Sequence, residues 1–178
     1  MKAIVRYTYG SPDVLRLVDV PTPTPRDDEV LVQIEATSIN AADWRMLRAD
    51  PFLARLDLGL LRPRNRILGF DIAGRVAAVG RAVRQLAPGD EVFGNLFDLR
   101  GGAFAEYAAV PERLLVRKPA NLSFAQAAAV PMAAVTALRG LRETKPVQPG
   151  QQVLINGASG GVGTFAIQIA KALGAAFA

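Results

Sequence analysis

The sequence predicts a mixed β and α/β protein, in which a β-rich first part is followed by the beginning of a parallel α/β domain. Three observations carry this prediction. Up to about Asn121, short segments rich in β-branched and aromatic residues alternate with turns that contain proline and glycine. From Ser123 the composition becomes alanine-rich and helical. Near the end of the chain, a short apolar run enters a glycine-rich turn that opens an amphipathic helix.

Seven segments of the first part have the composition of strands, and several alternate apolar with polar residues as half-buried strands do. They are KAIVRY from Lys2, VLRLVDV from Val14, EVLVQIEATSI from Glu29, DIAGRVAAV from Asp71, DEVFG from Asp90, AFAEYAAV from Ala103 and RLLVRK from Arg113. Many short strands without a clear repeat favour a small barrel or sandwich.

One helical stretch interrupts these strands, at NAADWRMLRADPFLARL from Asn40. Asn40 is a good N-cap residue, and Asp43 stands three positions later, which is a weak form of the capping box. Pro51 divides the stretch, so we expect one or two short helices.

The second part predicts helices, then a strand, then a helix. SFAQAAAVPMAAVTALRGLRET starts at Ser123, a possible N-cap, and is expected to break near Pro131. The continuous apolar run at residues 153–155 is typical of a strand buried on both faces of a parallel sheet. A further strand is expected to begin at Ala175. The helix after the glycine turn carries its apolar face at Val162, Phe165, Ala166, Ile169, Ala170 and Leu173.

The glycine turn at residues 157–163 fits the dinucleotide-binding fingerprint, with alanine where the first glycine usually stands. Gly160 lets the backbone approach a pyrophosphate, and Gly163 lets the helix pack closely on the strand. The free N–H groups at the helix start receive the phosphate charge. A tight turn without a ligand is the alternative. The residues expected to bind the cofactor here are Ala158, Ser159, Gly160, Gly161, Val162 and Gly163.

The composition excludes several classes of site. The chain of 178 residues has no cysteine and no histidine, which removes disulfides, thiolate nucleophiles and the two best zinc ligands, so no metal site is expected. The net charge of +5 invites nucleic-acid binding, but the basic residues are scattered except at RPRNR from Arg62, and we expect no nucleic-acid partner. No membrane span and no signal segment are expected, so the sequence predicts a cytoplasmic protein.

Stretches along nearly the whole chain resemble one family. They are PTPTPRDDEVLVQIEATSINAAD, GFDIAGRVAAVG, LAPGDEVFG, GGAFAEYAAV, KPANLSFAQAAAVPMAAVTAL and PGQQVLINGASGGVGTFAIQIAKALGA. In this order they are similar to the medium-chain dehydrogenase/reductase superfamily, in its zinc-independent, quinone-oxidoreductase-like (zeta-crystallin-like) branch. The resemblance implies a GroES-like β-barrel catalytic domain over residues 1–122 and the first βα unit of an incomplete NAD(P)-binding Rossmann fold over residues 123–178.

The resemblance also implies an activity. It is hydride transfer from NADPH, with NADH possible, to a quinone, an enone or a related α,β-unsaturated carbonyl compound. The zinc-dependent branch has a cysteine and a Gly-His-Glu where this sequence has INAAD and Gly69-Phe70-Asp71, which agrees with the expected absence of zinc. Full-length relatives are expected to form homodimers.

Chain length leaves an alternative open. Members of the family are roughly twice as long, with a complete six-stranded Rossmann sheet. The chain therefore resembles a member truncated within the Rossmann domain, and the residue that distinguishes NAD from NADP has no position in it. The alternative function is a catalytically inactive relative or fragment that acts only as a β-barrel interaction module.

Three further site residues follow from the resemblance. Asn40 matches a position near the nicotinamide and is the first candidate for catalysis and for a substrate or ribose contact. Asp43 is the second catalytic candidate, with an orienting role. The helix cap is the alternative explanation for both. Thr136 matches a position beside the nicotinamide, and a hydroxyl bonded to its own helix is the alternative.

Two weaker groups of candidates complete the set. The aromatic residues Trp44, Phe52 and Tyr107 would line an apolar pocket, although aromatic residues are more often simply core. Arg62, Arg64 and Arg66 would meet a cofactor phosphate, although a solvated loop explains them more simply.

Overall fold

The structure is a computed structural model that describes residues 1–143 and 146–176. It divides into two compact units, Met1–Ala129 and Val130–Ala178, each with its own core. The strand predicted to begin at Ala175 falls partly on residues 177 and 178, which lie outside the described part.

The first unit contains seven strands, one in each of the seven predicted segments. β3 to β7 form an antiparallel sheet in the order β6-β3-β4-β5-β7, and β1 pairs with β2 in a two-stranded sheet. The strands are β1 (Lys2–Val5), β2 (Arg16–Asp19), β3 (Glu29–Ser38), β4 (Asp71–Val79), β5 (Glu91–Asn95), β6 (Tyr107–Pro111) and β7 (Leu115–Arg117).

Strand β1 joins the small sheet to the rest of the unit. Single bridges link Ala3 to Ala105 and Val5 to Ile67, and the Ile4 N–H donates to the Phe104 carbonyl at 2.8 Å. The apolar faces of β3 to β7 share one core, as expected of the predicted β-barrel. Its fully buried members include Val30, Val32, Ile72, Val92 and Val110.

The register of the central strands brings three strand ends together. β3 and β4 pair with register shifts between Leu31 and Val32 and between Ile34 and Ala36, which bend the pair. At the far end of this ladder Ser38 faces Asp71, and Asp71 faces Asn95 across the next ladder. The end of β3, the start of β4 and the end of β5 therefore form one polar row at an edge of the sheet.

Two short helices follow β3, separated at Pro51 as predicted. They are α1 (Ala41–Arg48) and α2 (Arg55–Leu58). Asn40 is the N-cap of α1 and forms a capping box with Asp43. Ala49 ends α1 in the left-handed region with φ 53°.

The helix α3 (Phe124–Ala128) belongs to the first compact unit, and the domain boundary after residue 122 stays a prediction. Its side chains at Ala127 and Ala128 are fully buried and pack with Ala73 of β4. The Phe124 ring lies 5.1 Å from the Arg75 guanidinium carbon. Because this face of the helix is buried on the sheet, the first unit extends to Ala129.

The second unit contains the helices α4 (Pro131–Arg142) and α5 (Gly161–Ala172). They pack through small side chains, and this packing is the main contact within the unit. The fully or largely buried members are Ala137, Leu141, Ala166 and Ala170.

Two predictions for the second unit are wrong. Residues 153–155 belong to no strand in the described part of the chain. Val153 and Ile155 pack against the helices, while Leu154 is 96% exposed, because nothing in the described part of the chain covers the other face of this segment. Val162 is 42% exposed, because the helix start turns it away from the face that packs on α4.

Candidate functional site

Asn40 and Asp43 lie together at the N-terminal end of α1. The Asn40 N–H donates to Asp43 Oδ2 at 2.7 Å, and the Asp43 N–H donates to the Asn40 carbonyl at 3.0 Å. Asp43 Oδ1 accepts from the Gly69 N–H at 3.0 Å, so this carboxylate ties the helix to the segment before β4. Burial raises the pKa of Asp43. The two N–H groups oppose that rise, and the charge of Asp71 adds to it.

Beside this helix end lies a group of four polar side chains, Ser38, Asn40, Asp71 and Asn95, called here the Asp71 cluster. Asp71 is fully buried. Its Oδ2 accepts from Ser38 Oγ at 3.0 Å and from Asn40 Nδ2 at 3.0 Å, and its Oδ1 accepts from Asn95 Nδ2 at 2.7 Å. A buried carboxylate is tolerated when hydrogen-bond donors surround it, and here three side chains supply them.

The other end of α1 is held by a buried cation. Arg6 is 1% exposed, and its guanidinium donates to the Met46 carbonyl in the last turn of the helix. The same guanidinium lies 5.2 Å from the ring centre of Tyr9. Burial lowers the pKa of Arg6. A cation at a helix C-terminus interacts favourably with the carbonyl groups there, so both ends of α1 are fixed by charged side chains.

An open pocket of about 530 Å³ lies along α1 in the first unit. Its size suits a small organic molecule, since such ligands occupy pockets of several hundred cubic ångströms. On its rim, Arg100 pairs with Asp57 at 2.7 Å. The apolar side chains that line it are Ala42, Met46, Pro51, Ala54, Leu58 and Phe97.

In the second unit, the glycine turn leads directly into α5. Gly157 adopts a φ of +77°, which side-chain-bearing residues rarely adopt, and its carbonyl accepts from the Gly160 N–H at 3.0 Å. Gly160 is the N-cap of α5, with φ −77° and ψ 169°. Thr164 Oγ1 donates to the Gly161 carbonyl at 2.9 Å, which closes the first turn.

The glycines of the turn differ in the space around them. A Cβ on Gly163 would lie 2.2 Å from the Gly157 carbonyl oxygen, so only glycine fits there. A Cβ on Gly160 would meet its nearest atom at 3.4 Å, and one on Gly161 at 4.0 Å. Gly163 therefore serves close packing within the protein, whereas Gly160 and Gly161 leave an open, exposed surface.

This open surface fits a pyrophosphate group. The first N–H groups of a helix have no partner within the helix and point outward along its axis. Together with the helix dipole they bind anions. A side chain at Gly160 or Gly161 would fill the space that a phosphate needs to approach these groups.

Comparison with known proteins identifies the first unit. The alcohol dehydrogenase GroES-like domain family matches residues 26–120, more than half of the chain. The chain belongs to this family.

Relatives of the GroES-like chain extend the match to the second unit. The 2-methylene-furan-3-one reductase of Solanum lycopersicum is 42% identical over 178 residues, which cover 96% of this chain and 44% of the reductase. The quinone oxidoreductase structure from Coxiella burnetii has a TM-score of 0.88 at 37% identity and covers 99% of this chain and 55% of its own. The structure of the Escherichia coli quinone oxidoreductase complexed with NADPH has a TM-score of 0.82 at 31% identity. The match covers 99% of this chain and 51% of that structure.

These matches place the GroES-like chain in the quinone-oxidoreductase-like branch of the medium-chain dehydrogenase/reductase superfamily. The matching segment is about half the length of each relative.

Among the predicted residues of this GroES-like chain, Asn40 and Asp43 are in direct contact, and the turn at residues 158–160 continues without a break into the first turn of α5 at residues 161–163. Thr136 lies on an exposed face of α4. Trp44 and Phe52 are 43% and 66% exposed and are not core residues. Arg66 lies 5.1 Å from the Tyr7 ring centre, and Arg64 donates to the Asp57 carbonyl.

Three residues of the Asp71 cluster, Asp71, Asn95 and Ser38, were not predicted from the sequence as site residues. The sequence did contain a signal, because a carboxylate that starts the largely apolar strand β4 needs hydrogen-bond partners if it is buried. Its partners could not be identified, since they lie on two other strands and their pairing depends on register.

No group of three or more histidine, cysteine, aspartate or glutamate side chains among the described residues is placed to hold a metal ion. None of the helices described is both long and apolar enough to cross a membrane.

Proposed function

We propose that this chain carries cofactor-binding and substrate-binding residues of a zinc-independent oxidoreductase that transfers a hydride from NADPH, or from NADH, to a quinone or an enone. The geometry of the glycine turn is the observation that carries the proposal. Gly163 is closed by packing while Gly160 and Gly161 are open, as a dinucleotide turn requires. When bound, the cofactor supplies the hydride.

In this proposal, different residues of the turn make different contacts with the pyrophosphate. Gly160 and Gly161 provide the close approach, and the N–H groups of Gly161 and Val162 donate to the phosphate oxygens. The hydroxyl of Ser159 adds a donor beside them, and Ala158 occupies the first position of the fingerprint. The relative from Escherichia coli is an NADPH complex, which supports this choice of cofactor.

The GroES-like unit contributes Asn40, Asp43 and the pocket along α1. We assign Asn40 a contact to the cofactor ribose or the substrate, and Asp43 the task of holding Asn40 through its backbone N–H. The apolar lining around Met46, Leu58 and Phe97 suits the carbon skeleton of a quinone or an enone. Thr136 of α4 is assigned to the cofactor on the resemblance of its sequence position.

The first test is titration of the purified chain with NADPH, followed by fluorescence, on wild type and two glycine variants. Gly160→Ala keeps an allowed φ and meets nothing closer than 3.4 Å, so the fold should survive while the phosphate loses its approach. We expect at least a tenfold weaker dissociation constant, equivalent to about 1.4 kcal/mol. Gly140→Ala in α4 is the matched control, since a Cβ there has open space and should leave binding unchanged.

The outcomes separate the proposal from its alternative. Binding that responds to Gly160→Ala and not to Gly140→Ala supports it, and NADPH oxidation with a quinone and an enone should then be assayed. A folded chain without NADPH binding contradicts it and favours the non-catalytic barrel module. The mass of the chain in solution, recorded alongside, tests the homodimer that the resemblance implies.

A further inference from the structure

The fully buried Asp71 contacts the candidate site residue Asn40 directly. Asn40 Nδ2 donates to Asp71 Oδ2 at 3.0 Å and to Ser38 Oγ at 3.1 Å. Ser38 Oγ and Asp71 Oδ2 are themselves 3.0 Å apart, so both acceptors lie on one side of the Asn40 amide nitrogen. The nitrogen of Asn40 therefore faces the buried carboxylate and the hydroxyl beside it.

The charge of Asp71 fixes which way the Asn40 amide faces. An ionised carboxylate only accepts hydrogen bonds, so a flipped amide would set Asn40 Oδ1 against Asp71 Oδ2, oxygen against oxygen. Asn95 holds Asp71 in turn, through a 2.7 Å bond to Oδ1. The Asn40 oxygen is thereby turned away from the buried carboxylate and towards the Asp43 N–H of the capping box, and its second lone pair can accept from a ligand.

We infer that Asp71 is a positioning residue, which holds Asn40 so that it offers a ligand its oxygen as an acceptor and not its nitrogen as a donor. This inference rests on the proposed function and sharpens it. An acceptor suits a hydroxyl group, such as those of the cofactor ribose. It does not suit the oxygen of a quinone or an enone, which itself needs a donor.

Asp71→Asn is the discriminating substitution because the two side chains have nearly the same shape. The new amide retains an oxygen for Asn95 and presents an NH₂ group towards Asn40 Nδ2, donor against donor. The Ser38 hydroxyl adapts by rotating, but the Asn40 amide has to turn over or move. Adding Asn40→Asp restores one donor and one acceptor at this contact. In the double variant the amide at position 71 donates and the carboxylate at position 40 accepts.

The experiment combines nuclear magnetic resonance of the Asn40 side-chain amide, assigned by its loss in Asn40→Ala, with NADPH titration of the whole chain. In Asp71→Asn we expect the two Asn40 amide protons to shift and to exchange with solvent about tenfold faster, as for a lost charge-assisted hydrogen bond. We expect NADPH affinity to fall by about fivefold or more and to recover to within about twofold in the double variant. Asp27→Asn is the control, since it removes an exposed carboxylate that pairs with Arg81.

The two readouts separate the possible failures. An unchanged Asn40 amide signal in Asp71→Asn overturns the inference, whatever happens to affinity. An absence of NADPH binding in wild type contradicts the proposed function, while the amide signal still decides the role of Asp71. If Asp71→Asn alone does not fold, recovery of folding in the double variant supports the contact, and its failure to recover overturns it.

Discussion

Charged side chains that are buried in the described part of this protein all act on one short helix. They are Arg6, Asp43 and Asp71. Arg6 donates to the last turn of α1, Asp43 accepts at its first turn, and Asp71 accepts from the N-cap side chain. Burying a charge is costly unless it is hydrogen-bonded, and each of these three is bonded to α1 or to its N-cap residue.

At the scale of single residues, Asp43 allows a test, because both of its carboxylate oxygens accept from backbone N–H groups. Asp43→Asn replaces one of these oxygens with an NH₂ group, which leaves the N–H of Asn40 or Gly69 facing another donor. We expect a loss of about 1–3 kcal/mol in the free energy of unfolding at neutral pH. Urea denaturation followed by circular dichroism measures it.

The pH dependence of that loss follows from the raised pKa of Asp43. Between its ordinary value of 3.8 and the raised value, the folded protein keeps a proton that the unfolded chain has released. Wild-type stability from this group is therefore greatest below that window and falls as pH rises through it. The free energy of unfolding of Asp43→Asn does not change with pH in this way, because the amide does not titrate. The difference in free energy of unfolding between wild type and Asp43→Asn should therefore become smaller as pH rises. A difference that widens would mean that the N–H bonds outweigh burial.

At the scale of elements, the glycine turn and α5 depend on one close contact. Gly163 is buried at the third position of the helix, and its Cα passes the Gly157 carbonyl and Ala158 with no room for a methyl group. The same helix begins with Gly161, where a methyl group would make only an ordinary 4.0 Å contact with Ala133. Alanine at each position in turn therefore tests whether α5 depends on the close contact at Gly163 or only on the number of glycines in the turn.

We predict that Gly163→Ala destabilises the second unit by about 1–3 kcal/mol, as overpacking does. Gly161→Ala should leave its stability unchanged or raise it by up to about 1 kcal/mol, because alanine favours a helix over glycine. Hydrogen exchange of the backbone amides of α5 reports on this unit alone. Equal exchange rates in the two variants would show that the turn is not closed by Gly163.

At the scale of the molecule, the chain is two units with separate cores. The core of the first unit is contributed by β3 to β7, and α3 covers another face of the same sheet. The second unit relies on the cluster between α4 and α5. The first unit therefore has a core that is separate from that of the second unit.

This separation predicts how fragments behave. A fragment of residues 1–129 should fold cooperatively, with a β-rich circular dichroism spectrum. A fragment of residues 1–122 lacks α3, so Ala73 and Phe93 lose the cover of Phe124 and its neighbours. We expect it to be less stable by about 2–4 kcal/mol in urea denaturation. Equal stability of the two fragments would favour the earlier boundary.

The features that were predicted correctly from the sequence are those that depend on residues close together in the chain. Strand composition and alternation located all seven strands of the first unit, and Pro51, Asn40 and Asp43 defined the helix break and the cap. The glycine spacing located the turn and its helix, because each of these features depends on residues a few positions apart.

Tertiary structure decided what depends on distant partners. Residues 153–155 belong to no strand because a parallel strand exists only beside another strand, and α3 joined the first unit because its buried face fits the sheet. Asp71 met Asn40 and Asn95 through the register of three strands, which a one-residue slip would have abolished. The sequence by itself therefore determined the elements and the chemistry available, while long-range pairing decided which polar groups meet and which way Asn40 faces.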